Sequence, residues 1–136
     1  DDGERRSALR AVVAVGPERQ IAFYGTHLSI VAAERPEQVD AILQRVAAES
    51  LPVILAGDLN AESDEVAVAK LKQHGFVDTQ ELTGLAPALT FPAGSAEQRI
   101  DYIFTEESLK ECVVDCSVIK TDASDHYPVL IELAII

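Results

Sequence analysis

The sequence has no tryptophan and only three tyrosines and four phenylalanines, too few aromatic rings to define a platform on which nucleobases stack. Basic residues are scarce: 11 lysines and arginines stand against 23 aspartates and glutamates, a formal net charge of −12. The field of such a chain repels polyanions, so nucleic acid is a disfavoured partner unless metal ions or a local basic strip intervene. There are only two cysteines, Cys112 and Cys116. On a strand they would lie four residues apart on one face, too far to pair without bending the backbone, and they read as free, buried, structural thiols. Free thiols are compatible with a cytosolic home without demanding it, so cytoplasmic and secreted settings both stay open. No apolar run approaches membrane-spanning length, and the start Asp1-Asp2-Gly3-Glu4-Arg5-Arg6 is not a signal peptide. Internal repeats, low-complexity tracts and linkers are absent as well. What is present suits one globular domain with a real core: 136 residues, 48% hydrophobic and 25% charged.

Residues 6–15 grow steadily more apolar and end at Gly16-Pro17, which reads as a strand and a hairpin turn. Residues 20–28 read as the second strand, with Ile21, Phe23, Gly25 and His27 on one face and Ala22, Tyr24, Thr26 and Leu28 on the other. Pro36 is placed to open a helix running to about residue 49, with Val39, Ile42, Leu43, Val46 and Ala47 on its apolar side. Residues 52–56 are an unbroken apolar run stopping at Gly57, as in a strand buried on both faces. Strand, helix and strand close most simply as a right-handed parallel crossover. Ser63 is a reasonable cap for a second helix over 64–74, with Gly75 as its left-handed stop and Phe76 packing back; His74 in its last turn reads as a solvated helix-end residue. Residues 77–98 lack periodicity and read as a long surface loop. In it, Thr90-Phe91-Pro92 offers either an aromatic wall to a substrate or an anchoring core contact. Residues 99–105 are again a strand, 113–119 continue the sheet and 127–135 close it, with 106–112 open between short helix and loop.

Parallel strands end at one edge, so His27 and the pair Asp58 and Asn60 fall together at one rim of the sheet. Asp58 can accept a proton from water or help hold a cation, and the neutral Asn60 amide can donate to a phosphoryl oxygen. The alternative for Asp58 and Asn60 is an Asx-turn or helix cap, and for His27 a hydrogen-bonded structural histidine at a strand end. Asp101 stands in an apolar strand, where an unpaired carboxylate costs several kcal/mol. His126, in Ser124-Asp125-His126 just before the last strand, is the obvious partner; Arg99 is the alternative. A pair of Asp101 with His126 would fix the imidazole tautomer and favour the imidazolium. Asp125 could then hold a hard cation, or simply form a turn.

Four motifs occur in order: Tyr24-Gly25-Thr26-His27-Leu28, Gly57-Asp58-Leu59-Asn60, Arg99-Ile100-Asp101-Tyr102-Ile103-Phe104 and Ser124-Asp125-His126-Tyr127-Pro128-Val129. Together they resemble the endonuclease/exonuclease/phosphatase superfamily, which includes DNase I-like nucleases, sphingomyelinases and inositol polyphosphate phosphatases. The resemblance implies an α/β fold with a mixed, mainly antiparallel sheet covered by helices on one face, half of a DNase I-like four-layer sandwich. It implies in-line hydrolysis of a phosphoester without a covalent intermediate, assisted by Mg²⁺, with Mn²⁺ as a substitute. By the same resemblance His27 and His126 are the active-site histidines, Asp58 orients or deprotonates the attacking water, Asn60 binds phosphoryl oxygens, Asp101 orients His126, and Asp125 contributes to the metal site.

The family's principal metal ligands, an Asn and a Glu, come from its amino-terminal half. No Asn occurs here before Asn60, and Asp1, Asp2, Glu4 and Glu18 sit in no matching strand-end motif. Residues 1–136 are therefore expected to be the carboxy-terminal part of one such domain, a part whose uncovered sheet face pairs with another copy or with the absent half. The acidic charge favours a small phosphorylated molecule or lipid headgroup over duplex DNA as the substrate. A nuclease, or a non-catalytic half-domain acting as an assembly module, are the alternatives.

Overall fold

The computed structural model describes residues 3–134; Asp1 and Asp2 of the acidic start and the Ile135 end of the last expected strand lie outside the described residues. Strand β1 (Ala8–Ala14) and strand β2 (Gln20–His27) form an antiparallel hairpin in the register Ala8↔Thr26 to Ala14↔Gln20. Helix α1 (Arg35–Val46), with Pro36 in its first turn, then carries the chain to β3 (Val53–Asp58), which runs parallel to β2 from Ala22↔Val53 to His27↔Asp58. Strand β5 (Asp101–Glu106) pairs antiparallel with β3 on one side and with the short β4 (Phe76–Asp78) on the other. The sheet order β1-β2-β3-β5-β4 is thus mixed and mainly antiparallel, as the family resemblance implies.

Both longer helices cover the same face. Val39, Ile42, Leu43 and Val46 of α1 and Ala67, Val68 and Leu71 of α2 (Val66–Gln73) pack onto Ala22, Tyr24, Val53, Leu55, Tyr102 and Phe104 of the sheet. Strand alternation puts these six sheet residues on one side. Helix α2 starts later than residue 64, and Ser63 is not its cap. Glu65 holds the N-cap position, its Oε1 accepting from the Glu62 N–H at 3.0 Å and its Oε2 meeting Arg35 Nη2 at 2.5 Å. Gly75 does stop the helix at φ +89°, and Phe76 is buried behind it.

Two further corrections concern the second half of the chain. The expected loop over 77–98 begins with β4 and a one-turn helix α3 (Thr79–Leu82), capped by the Asp78 carboxylate accepting from the Gln80 N–H at 3.0 Å. Such short elements carry no periodicity to read. The strands after β5 do not continue the main sheet: β6 (Val113–Val118) and β7 (Val129–Leu133) form a separate antiparallel ribbon. Where the chain leaves β5, both sides of the strand are taken, by β3 and β4, and a 3₁₀-helix (Glu107–Cys112) turns the chain out of the sheet. The chain folds back against the helix-free face, where Ile21, Ile54 and Leu109 form a small cluster with Ile103, Cys112 and Leu133. Cys112 therefore closes the 3₁₀-helix instead of sharing a strand face with Cys116, and both thiols are free. Burial pushes the Cys116 thiol up, consistent with a structural role.

Candidate active site

Register builds the site. His27 and Asp58 are partners at the ends of β2 and β3, and Asp58 is the partner of Asp101 at the start of β5. Partnered residues point to the same side, so the three side chains stand in a row on the face opposite the helices. Glycine at position 57 makes this approach feasible: its φ is +152°, and a Cβ there would lie 1.8 Å from the Thr26 carbonyl oxygen.

His126 completes the row from the loop before β7. Its Nδ1 donates to Asp101 Oδ2 at 2.8 Å, and its Nε2 lies 3.8 Å from Asp58 Oδ2. His27 Nε2 is 3.4 Å from the same Asp58 oxygen, so two imidazoles converge on one carboxylate. Arg99 is not the partner of Asp101. Its guanidinium bonds both oxygens of the buried Asp78 at 2.5 and 2.6 Å and lies over the Tyr102 ring. That arrangement leaves Asp101 to the histidine.

The electrostatics follow from burial and neighbours. Burial pushes the Asp58 carboxyl up and the Asp101 charge adds to it, against the Asn60 N–H and the two histidines, which pull it down. For His126, partial burial pulls the pKa down, but the hydrogen bond and charge of Asp101, with Asp58 and Asp125, outweigh it and raise the net value above 6.5. The imidazolium is thereby favoured.

Asn60 and Asp125 are placed differently. Asn60 adopts φ +48°, donates its N–H to Asp58 Oδ1 at 2.8 Å and its side-chain amide to the Leu28 carbonyl at 2.9 Å. The Asx-turn is therefore formed, and it orients Asp58 while one amide proton of Asn60 is occupied by the backbone. Asp125 is exposed at the rim, with the Ser124 hydroxyl 3.3 Å from its Oδ1. Among the described residues, the side chains whose ligand-type atoms lie within 4.8 Å of one another are Asp58, Asp101 and His126, without Asp125. Two adjacent carboxylates suit a hard divalent cation, which takes oxygen ligands, completes its shell with water or substrate oxygens, and competes here with the imidazoles that face them. His74 stands exposed at the end of α2, as expected of a solvated residue.

Two neighbours of the row were not assigned from the sequence. The Phe91 ring packs on the His126 ring with centroids 4.6 Å apart and planes tilted by 39°. A cavity of about 410 Å³ opens beside Asp58, Asp101 and His126 and is floored by apolar residues that include Phe23, Ile103 and Val129. The Thr90-Phe91-Pro92 stretch carried the signal for the first; nothing in the sequence located the second.

The sequence model of the Endonuclease/Exonuclease/phosphatase family matches residues 2–126. The chain is 31% identical over 130 residues to a UPF0294 protein of Yersinia pseudotuberculosis, covering 93% of this chain and 48% of that protein. It thus spans about half the length of the curated relatives it matches. Among solved structures, a mannosyl-6-phosphatase of Bacteroides thetaiotaomicron superposes with a TM-score of 0.67 at 25% identity, over 86% of this chain and 52% of that one. An endonuclease/exonuclease/phosphatase protein of Bacteroides vulgatus superposes with a TM-score of 0.80 at 21% identity, over 96% and 56% of the two chains, a likeness of fold.

Proposed function

This chain belongs to the endonuclease/exonuclease/phosphatase family, and from that premise we propose that it carries the histidine and aspartate side of a divalent-metal-dependent phosphoester hydrolase. The observation that carries this reading is the Asp101–His126 hydrogen bond of 2.8 Å set beside Asp58 on adjacent strand ends. Structural pairs of this kind are common, but here a second histidine, His27, faces the same Asp58 oxygen at 3.4 Å.

In this mechanism the Asp58 carboxylate, oriented by the Asn60 N–H, positions a water for in-line attack on phosphorus and accepts its proton. The His126 imidazolium, held by Asp101, donates to a phosphoryl oxygen as negative charge develops there. His27 protonates the departing oxygen, so the bond to water forms and the ester P–O bond breaks without a covalent enzyme intermediate. The remaining amide proton of Asn60 is a further donor to phosphoryl oxygen. A divalent cation, Mg²⁺ or Mn²⁺, held by Asp58 and Asp101 with Asp125 at the rim, would neutralise charge on the phosphoryl group.

The net charge of −12 favours a small phosphorylated molecule or a lipid headgroup over a nucleic acid, and the likeness to a mannosyl-6-phosphatase supports the former. Residues 1–136 are read as the carboxy-terminal part of one domain. The exposed apolar side chains Leu9, Val13 and Phe23, on the same sheet face as the site, support pairing with a second copy or with an amino-terminal half. The experiment is hydrolysis of a chromogenic aryl phosphodiester and monoester with Mg²⁺ or Mn²⁺, with and without chelator, beside His126→Ala. Metal-dependent turnover lost in the variant is expected. Turnover that survives both the chelator and the substitution would refute the assignment.

A further inference from the structure

The Asp101–His126 pair joins the first residue of β5, which is paired with β3 on one side only, to the loop before β7. Strand β4 pairs with β5 only as far as Phe104, so the amino-terminal end of β5 has no strand neighbour on that side. The fully buried Thr90 takes that place. Its Oγ1 accepts from the N–H groups of Ile100 and Asp101, each at 3.3 Å. Its carbonyl accepts from the Tyr127 N–H at 2.7 Å, and its own N–H donates to the Gln98 carbonyl at 2.8 Å. One residue thus grips the backbone of Asp101 on one side and the residue after His126 on the other. The next residue, Phe91, lays its ring on the His126 imidazole. Two residues further on, the Ala93 N–H donates to the Asp125 carbonyl at 2.7 Å, and the Tyr127 hydroxyl accepts from the Gly94 N–H at 2.6 Å.

We propose that Thr90 is a positioning residue for the hydrolase site: its hydroxyl and carbonyl set the separation of Asp101 and His126, and so the aim of the imidazole. The assignment rests on the hydrolase reading for its kinetic consequence, while the geometric consequence stands apart from it. A hydroxyl oxygen has two acceptor lone pairs, and both N–H groups depend on them. Thr90→Val keeps the shape and removes the acceptor, leaving two backbone donors without a partner at the start of β5. Asp101 then shifts, and misplacement of a catalytic group by about 1 Å can slow a positioned reaction about 100-fold. Thr90→Ser restores the acceptor and removes only a methyl group.

The test compares wild type, Thr90→Val and Thr90→Ser in two readouts. The first is the imidazole ¹H–¹⁵N spectrum of His126, where the Nδ1 proton bonded to Asp101 gives a downfield signal. It should be lost or shifted upfield in Thr90→Val and kept in Thr90→Ser. The second is aryl phosphoester hydrolysis with Mg²⁺, where Thr90→Val should lower kcat by about 10- to 100-fold with KM little changed, and Thr90→Ser should recover most of it. If wild type shows no turnover, hydrolysis needs the amino-terminal half of the domain, and the imidazole signal still decides the positioning claim. An unchanged signal in a folded Thr90→Val, with any loss of activity matching loss of thermal stability, overturns it. Should Thr90→Val not fold, Thr90→Ser decides: a lower Tm with the signal retained supports the claim, and a signal lost along with Tm overturns it.

Discussion

The two faces of the five-stranded sheet differ in what covers them. On one, α1 and α2 bury Tyr24, Leu55, Tyr102 and Phe104 in a continuous apolar core. On the other, the buried cluster is limited to Ile21, Ile54 and Leu109 with their neighbours, Leu9 is 74% exposed, and the polar row of His27, Asp58, Asp101 and His126 lines the strand ends. The same strands supply both faces through simple alternation. Tyr102 and Phe104 point into the core while Asp101 and Ile103 point away from it. The difference teaches a division of labour: burial on the helix face holds the strand ends still, so that carboxylates can stand close together on the other face at a cost the core offsets.

Substitutions can break this comparison at graded strengths. The largest effect is expected where the faces cannot be separated. Gly57→Ala drives a Cβ into the Thr26 carbonyl oxygen between β2 and β3, and it should cost more than about 4 kcal/mol or prevent folding, as a thermal melt would show. Next come two substitutions that should split the faces. Phe104→Ala, in the helix-side core, should lose about 3–5 kcal/mol in urea unfolding while folded molecules keep their catalytic rate. His126→Ala should do the reverse, lowering kcat by about 10²- to 10⁴-fold with little change in melting temperature. Equal effects of both variants on both quantities would abolish the distinction.

A smaller effect concerns pH. The Asp101 bond and charge raise the His126 pKa, so this pair stabilises the folded chain fully below the ordinary imidazole value and loses that contribution as pH rises through the raised one. Asp101→Asn removes the hydrogen bond to the carboxylate and its charge, the largest raising influences, and leaves Asp58 and Asp125 alone against burial, which lowers the value. The His126 midpoint should therefore fall, and NMR titration would show it; an unchanged midpoint would mean that the bond carries no charge effect. The smallest effect on stability is expected from Leu9→Lys, within about 0.5 kcal/mol because the side chain is exposed. The same change should weaken association by light scattering if the helix-free face is where this chain pairs.

The helix face was the more legible in sequence. The α1 spacing of Val39, Ile42, Leu43 and Val46 and the alternation around Tyr102 and Phe104 are periodic signals, and they place the core directly. The pairing of Asp101 with His126 was legible too, because a carboxylate in an apolar strand demands a partner. The β6–β7 ribbon was not, since strand propensity says nothing about which edge is free. Ser63 failed as a cap because Glu65, drawn to Arg35 and to the Glu62 N–H, holds that position. The roles of Asn60 and Thr90 depend on which backbone groups lack partners, and that depends on register, which the sequence does not spell out.

The central claim, that the helix-free face gathers cation and phosphate chemistry at the strand ends, is tested most directly by Mn²⁺-induced broadening of the backbone amide resonances. Broadening at substoichiometric Mn²⁺ centred on His27, Asp58, Asp101 and His126, and reversed by excess Mg²⁺, is the expected result. Broadening spread over the acidic surface or centred on the α1–α2 face, with those four positions spared, would contradict it.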